Sequence, residues 1–518
     1  MNVSNRNFFL IDFITIVPLM RNIFLVTALI TFSCQNPTKK IQNQSQNPNV
    51  IIIYMDDLGY GDVSSYGKGK LKTPNIDKLA NNGLKFLKGY SSSATCTPSR
   101  YGLLTGTYPW RNPRAKIITG GSLIIDTAQM TLPKLLKING YKTGIVGKWH
   151  LGLGEDKINY NKTISPGANE IGFDYSYILA DTQDRVPSVY IENGRVENLD
   201  LNDPISVNFD SNDYGLPTGL KNPELTTMKW HHGHNGSIVN GIPRIGFMKG
   251  GNKAKWKDED MADNFLNKAK EYVNKNKNNP FFLFYSLQQP HVPRTPNPRF
   301  VGKSQMGPRG DAIIEADWCI GELYKTLGEN KLLENTLIIF SSDNGPVLND
   351  GYFDNAVEML GGHTPSGGLR GGKYSLFEAG TRVPFIAYWK DKIKAGISDQ
   401  VISQIDLLNS ISKMIYSDFR TNDGKDLANL ILNNSGNGRS ELVMEAMGRT
   451  AYRNKEWVMI PPYEGRKIAK NVQIELGNST DYMLFDLERD PYQKNNLAKE
   501  KPEKLKFMIS SFEKIKKY

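Results

Sequence analysis

The chain has 518 residues, 39% of them hydrophobic and 10% aromatic, which excludes a disordered protein and allows a core large enough for more than one domain. Its formal net charge of +11 favours polyanionic partners such as nucleic acid, anionic lipid or sulfated glycan. No long Lys/Arg block or basic–aromatic ladder accompanies that charge, so nucleic acid is not an expected partner.

From Met20 the sequence reads MRNIFLVTALITFSCQN. The apolar run from Ile23 to Phe32 is far short of the roughly 20 residues that span a bilayer, and it suits the core of an export signal. Ser33-Cys34 at its end resembles a bacterial lipoprotein cleavage site, with Cys34 as the lipidated first residue; the alternative is an ordinary signal peptide with a stray cysteine. Asp12 lies inside an apolar run of residues 1–19, which an export signal does not tolerate well, so Met20 reads as the true start. Residues 1–34 are therefore expected to direct export, to the periplasm or cell surface with a lipid anchor in the membrane. Residues 35–49 form an Asn/Gln-rich polar tether.

The first globular stretch is NVIIIYMDDLGYGD. Val50 to Tyr54 is a continuous β-branched and aromatic run, as expected of a buried parallel strand, and it delivers Asp56 and Asp57 at its end. TPNIDKLANNG follows as a helix, with Thr73 as cap, Pro74 in the first turn and Gly83 as stop. The run Leu84 to Tyr90 leads into SSSATCTPSRYGLLTGTYP, which places Cys96 at a helix N-terminus, where free amides favour an anion. Thr143 to Val146 leads into GKWHLG with Lys148 and His150. Phe281 to Leu287 leads into QQPHVP with His291, and Leu337 to Phe340 into SSDNGP with Asp343 and Asn344. Apolar runs alternating with helices predict an open, mostly parallel α/β sheet, whose ligands collect beyond the carboxyl ends of its strands. One site assembled from several strand ends accounts for these polar clusters better than independent turns.

Beyond Pro384-Phe385-Ile386 the character changes, and residues 391–518 read as a second subdomain packed on a catalytic domain of residues 50–390. VISQIDLLNSISKMIY (401–416) has helical spacing; from Glu441 short apolar runs alternate with turns, as in a small antiparallel sheet; an amphipathic helix occupies 501–518. Cys319 has no obvious partner, so no disulfide framework is expected.

Asp56, Asp57, Asp343 and Asn344 offer only oxygen ligands, a set suited to a hard cation, most simply Ca²⁺. A nucleophilic Cys96 thiolate fits a helix N-terminus, but a cysteine protease or thiol transferase leaves the acidic cluster without a purpose. The Cys96-Thr97-Pro98-Ser99-Arg100 run with YGLLTGTYP behind it resembles the maturation signature of type I, formylglycine-dependent sulfatases, the arylsulfatase family. The resemblance runs from Val50 to LFDLERDPYQKNNLA near the C-terminus. It implies an alkaline-phosphatase-like fold and conversion of Cys96 to Cα-formylglycine by a formylglycine-generating or sulfatase-maturating enzyme. It also implies one Ca²⁺ held by Asp56, Asp57, Asp343 and Asn344 together with residue 96. Arg100 would hold the modified residue, while Lys148, His150, His291 and Lys373 (in GGLRGGKYSLFEAG) bind sulfate and move protons. Cations would neutralise the ester, one hydroxyl of the hydrated aldehyde would attack sulfur, and the second would let sulfate leave.

DRVPSVYIENGRV, HGHNGSIVNGI and VGKSQMGPRGDAI resemble bacterial sulfatases acting on 6-sulfated galactose or N-acetylgalactosamine. A sulfated oligosaccharide or polysaccharide substrate and exo 6-O-desulfation are therefore expected, with Asp184, Arg185, His231 and His234 as sugar contacts. The near-metal spacing of His231, His232 and His234 also admits a second metal site. The competing readings are a phosphatase or phosphonate monoester hydrolase of the same fold, and a non-catalytic lipoprotein that binds sulfated glycan.

Overall fold

The computed structural model describes residues 47–67 and 69–517; residues 1–46, with Cys34 and most of the tether, lie outside the described residues, as do Lys68 and Tyr518. Ten strands form the main sheet: β1 (Asn49–Met55), β2 (Leu84–Tyr90), β3 (Lys142–Lys148), β4 (Tyr175–Leu179), β5 (Ile191–Glu192), β6 (Arg195–Val196), β7 (Phe281–Ser286), β8 (Thr336–Ser342), β9 (Phe385–Tyr388) and β10 (Gly396–Ser403). Their order is β10-β2-β9-β8-β1-β7-β3-β4-β5-β6. The central five, β8-β1-β7-β3-β4, are parallel. β9 runs against both its neighbours.

The uninterrupted apolar run of β1 follows from burial on both faces. Val50, Ile52 and Tyr54 enter one core layer, while Ile51, Ile53 and Met55 enter the other. Each fully buried aliphatic side chain contributes about 1.5–3 kcal/mol relative to exposure. Helices α1 (Pro74–Asn82), α4 (Met261–Asn276) and α5 (Gly307–Glu329) cover the second layer, through Leu79, Phe265 and Ile320 among others. Helices α2 (Cys96–Thr105), α3 (Leu132–Ile138) and α6 (Asp406–Met414) cover the first, through Leu103, Leu135 and Leu407. The result is a doubly covered, mostly parallel sheet of alkaline-phosphatase-like type.

A four-stranded antiparallel sheet, β11 (Glu441–Ala446), β12 (Arg449–Asn454), β13 (Trp457–Ile460) and β14 (Met483–Asp486), forms the smaller C-terminal part with helix α7 (Pro502–Lys517). Its edge strand grips the segment before Cys96: the Ala94 amide donates to Glu445 O at 2.8 Å, and the Ser93 hydroxyl donates to the Glu445 carboxylate. Among the described residues no helix is long and apolar enough to cross a membrane.

Three local expectations are corrected. Residues 401–403 belong to β10, not to a helix, because Val401 and Ile402 pair with Lys88 and Gly89 of β2; the helix starts at Asp406. β10 is part of the large sheet, so sheet membership continues past the division expected at residue 390. Thr73 precedes α1, but its hydroxyl accepts from the Ser64 amide at 3.0 Å. The cap is Asp317 of α5, which accepts from the amides of Asn75 (3.0 Å) and Ile76 (2.8 Å).

Candidate active site

The ends of β1, β3, β7 and β8, together with the N-terminus of α2, converge on one buried floor. The Cys96 thiol donates to Asp56 Oδ1 at 3.5 Å. Lys148, the last residue of β3, pairs with Asp56 Oδ2 and lies 3.9 Å from Asp343 Oδ2. Arg100 reaches across from α2: Nη2 lies 2.7 Å from Asp343 Oδ2, and Nη1 donates to Ser286 Oγ at 2.5 Å. The Asp57 amide donates to Asp343 Oδ1 at 3.2 Å, and Asn344 Nδ2 donates to Asp57 Oδ1 at 2.7 Å. Lys373 enters from the excursion between β8 and β9, its Nζ 2.8 Å from Asp57 Oδ2.

Carboxylates at this density require positive charge. Burial and then Asp343 push the Asp56 carboxyl well above its ordinary range, against the pull of Lys148. One ligand atom each from Asp56, Asp57, Cys96 and Asp343 lie within 4.8 Å of one another. Asn344 Oδ1 is buried beside them with no hydrogen-bond partner. An orphaned amide oxygen next to three carboxylates fits a hard, oxygen-preferring divalent cation.

Both expected histidines are oriented by carbonyls, which only accept. His150 Nε2 donates to Ile118 O at 3.0 Å, leaving Nδ1 buried and unpartnered. His291 Nδ1 donates to Val292 O at 2.7 Å, leaving Nε2 to face Asp57 Oδ2 at 3.8 Å. Burial, then Lys148, holds the His150 imidazole well below its ordinary range; burial, then Lys373, does the same for His291, with Asp184 opposing. Asp57 and His150 both have positive φ, 63° and 55°, an uncommon conformation that the surrounding hydrogen bonds hold in place.

Above the floor lies a rim of loops. Asp184 Oδ2 lies 2.6 Å from His234 Nε2, and Asp184 Oδ1 lies 2.9 Å from Arg185 Nη1. Burial alone would raise the Asp184 carboxyl, but Arg185 and the His234 hydrogen bond hold it well below the usual range. Three consecutive residues join rim to floor: Ile118 O accepts a hydrogen bond from His150 Nε2, Thr119 Oγ1 accepts from Arg185 Nε at 3.4 Å, and the Gly120 amide donates to Asp181 Oδ2 at 2.7 Å.

A sulfatase family profile matches residues 48–415. The chain belongs to the sulfatase family. This sulfatase is 47% identical over 508 residues to an N-acetylgalactosamine-6-O-sulfatase of Bacteroides thetaiotaomicron, covering 97% of this chain and 98% of the relative. It is 31% identical to human arylsulfatase A, over 76% of this chain and 69% of the relative. A solved structure connected with glycosaminoglycan metabolism by Bacteroides thetaiotaomicron superposes with a TM-score of 0.90 at 48% identity, covering 91% of this chain and all of the other. A phosphonate monoester hydrolase of Agrobacterium radiobacter shares the fold alone, at 15% identity and a TM-score of 0.57.

The sulfatase floor brings together Asp56, Asp57, Cys96, Arg100, Lys148, His291, Asp343, Asn344 and Lys373 in one contact network, with His150 tied to it where Thr97 Oγ1 donates to His150 O at 3.0 Å. The rim joins Asp184, Arg185 and His234, while His231 stands apart, its ring packed edge-on against Phe353 with centroids 4.5 Å apart. His231 and His232 meet through their Nδ1 atoms at 2.5 Å, but among the described residues no cluster of three or more candidate metal ligands includes His231, His232 or His234. Sequence reasoning missed Asp181 and Asp350. Asp350 Oδ2 lies 3.2 Å from Lys373 Nζ, yet it stands in a loop, VLNDGYFD, without periodicity or motif.

Proposed function

We propose that this sulfatase removes 6-O-sulfate from N-acetylgalactosamine or galactose at the end of a sulfated glycan chain, with Cys96 in its formylglycine form and one Ca²⁺ beside it. The observation that carries the reaction is the convergence of the Cys96 side chain with three buried carboxylates and the orphaned Asn344 oxygen. The sugar assignment is supported by the 47% identity to a protein named for N-acetylgalactosamine 6-O-desulfation.

When present, the hydrated aldehyde supplies the nucleophile for sulfur, and the cation neutralises charge on the ester oxygens. Asp56, Asp57, Asp343 and Asn344 would hold that cation beside residue 96. Lys148, Lys373 and Arg100 surround the sulfate with positive charge on side chains that are almost fully buried. Burial works against a charged Lys373, but Asp57 beside it holds its ammonium well above its ordinary range. A bound sulfate ester also opposes the effect of Lys373 on His291 and favours a protonated imidazole, whose Nε2 then serves the leaving oxygen. His150, with Nε2–H committed to Ile118 O, offers Nδ1 as the acceptor for a proton from residue 96. Asp184, Arg185 and His234 meet the ring hydroxyls. Export with a lipid on Cys34 and maturation by a formylglycine-generating or sulfatase-maturating enzyme belong to the same proposal.

A panel of sulfated mono- and oligosaccharides, with free sulfate as the readout, tests the assignment. Release from 6-O-sulfated N-acetylgalactosamine or galactose is expected. Release only from 2-O- or 4-O-sulfated sugars would overturn the linkage and leave the sulfatase chemistry standing.

A further inference from the structure

The floor meets a sulfate with Lys148, Lys373 and Arg100, but the group beside Lys373 with the most accessible side chain is a carboxylate. One oxygen of Asp350, one of Asp57 and a ring nitrogen of His291 lie within 4.8 Å of one another. Asp350 is the most open of these groups: 12% of its side chain is accessible, against 3% for Lys373, 4% for His291 and 1% for Asp57. A sugar whose ester oxygen reaches Lys373 and His291 therefore rests against Asp350.

The carboxylate is held there by the backbone. Gly351 has φ +92°, and a Cβ added to it would lie 1.8 Å from His234 Nδ1. Tyr352 bridges to Trp230, the His231 amide donates to Gly351 O at 2.9 Å, and the Tyr352 hydroxyl donates to Pro243 O at 2.7 Å. Asp350 is thereby fixed beside the loop that carries His234.

Building on the sulfated-sugar reading above, we propose that Asp350 is a specificity-determining residue, which accepts a hydrogen bond from a sugar hydroxyl beside the scissile ester and excludes a second sulfate at that place. An ionised carboxylate accepts and never donates, so it matches a hydroxyl. A sulfate ester has no proton to give and brings a second negative charge, so it meets repulsion and an unpaired acceptor. The site then selects a single sulfate flanked by a free hydroxyl, although the chain as a whole is basic.

The test compares N-acetylgalactosamine 6-sulfate with its 4,6-disulfate, because C4 carries the ring substituent nearest the C6 arm. The ratio of kcat/KM for the two sugars is measured for wild type, Asp350→Asn and Asp350→Glu. Wild type should prefer the monosulfate, Asp350→Asn should shrink that preference about tenfold or more, and Asp350→Glu should retain most of it. Calorimetric binding of both sugars to Cys96→Ala, with and without Asp350→Asn, gives the same ratio where turnover is too slow. A ratio that does not move between wild type and Asp350→Asn in either measurement would overturn the inference alone. A wild-type enzyme that releases no sulfate from the monosulfated sugar would overturn it together with the sugar reading on which it rests.

Discussion

Asp56, Lys148 and Asp343 stand at or directly after the ends of parallel strands and are fully buried, whereas Asp184, Arg185, His234 and Asp350 stand on loops held by side-chain contacts and by isolated backbone bridges, Arg185 to Ile245 and Trp230 to Tyr352. A strand end fixed by two neighbouring strands places a side chain with little freedom, which suits a cation and a sulfate of invariant shape. Loops can change without disturbing the sheet, which suits the part that distinguishes one sugar from another. Floor variants should therefore lose all substrates alike, and rim variants should lose sugars selectively.

The largest effect is expected from Asp343→Asn. It removes the negative charge of a proposed cation ligand and the counter-charge of Arg100, both side chains being fully buried. Activity on sugar and on small aryl sulfates should fall together by roughly a thousandfold or more. Thermal unfolding should show a loss of about 3–5 kcal/mol, the usual result of breaking a buried pair. Near-normal turnover after chelation would remove Asp343 from the cation site.

Asp181 sits where floor and rim meet, and burial pushes its carboxyl up to about 6, with Arg185 and the Gly120 amide opposing. A carboxyl with a raised folded-state value lends stability that is present below its unfolded value and is lost as pH rises through about 6. Asp181→Asn keeps an oxygen for the Gly120 amide. It should gain on wild type by up to about 3 kcal/mol between about pH 4 and pH 7, read from unfolding curves. An equal difference at both pH values would mean that the carboxyl is not strained by burial.

Arg185→Ala should lower kcat/KM on a 6-sulfated sugar by about 1–3 kcal/mol of transition-state binding, with a far smaller loss on an aryl sulfate that lacks ring hydroxyls. Equal losses would place Arg185 in the floor. Gly351→Ala should be milder still. It strains a φ of +92° and crowds His234, so KM for the sugar should rise by about 1–2 kcal/mol while kcat on an aryl sulfate holds.

The same contrast governs what can be read from the sequence. Continuous apolar runs announce β1, β7 and β8, and the polar residues just after them belong to the floor because strand ends in such sheets always meet there. Lys373 carries no such address and is read only through its family resemblance. The spacing of Val401, Ile402, Ile405, Leu408 and Ile411 imitates a helix, because it continues across the strand-to-helix junction near Gln404. Asp317 capping α1 from 241 residues away leaves no local trace. Asp350 and the Ile118–Gly120 loop act through contacts that exist only once the chain has folded.

The central claim is that the floor works through a modified Cys96. Peptide mapping of a preparation with measured sulfatase activity addresses it directly. The peptide spanning Ser91–Arg100 should carry the mass of formylglycine in place of cysteine, and across preparations the modified fraction should track specific activity. Full activity in protein whose Cys96 is an unmodified thiol would contradict the account.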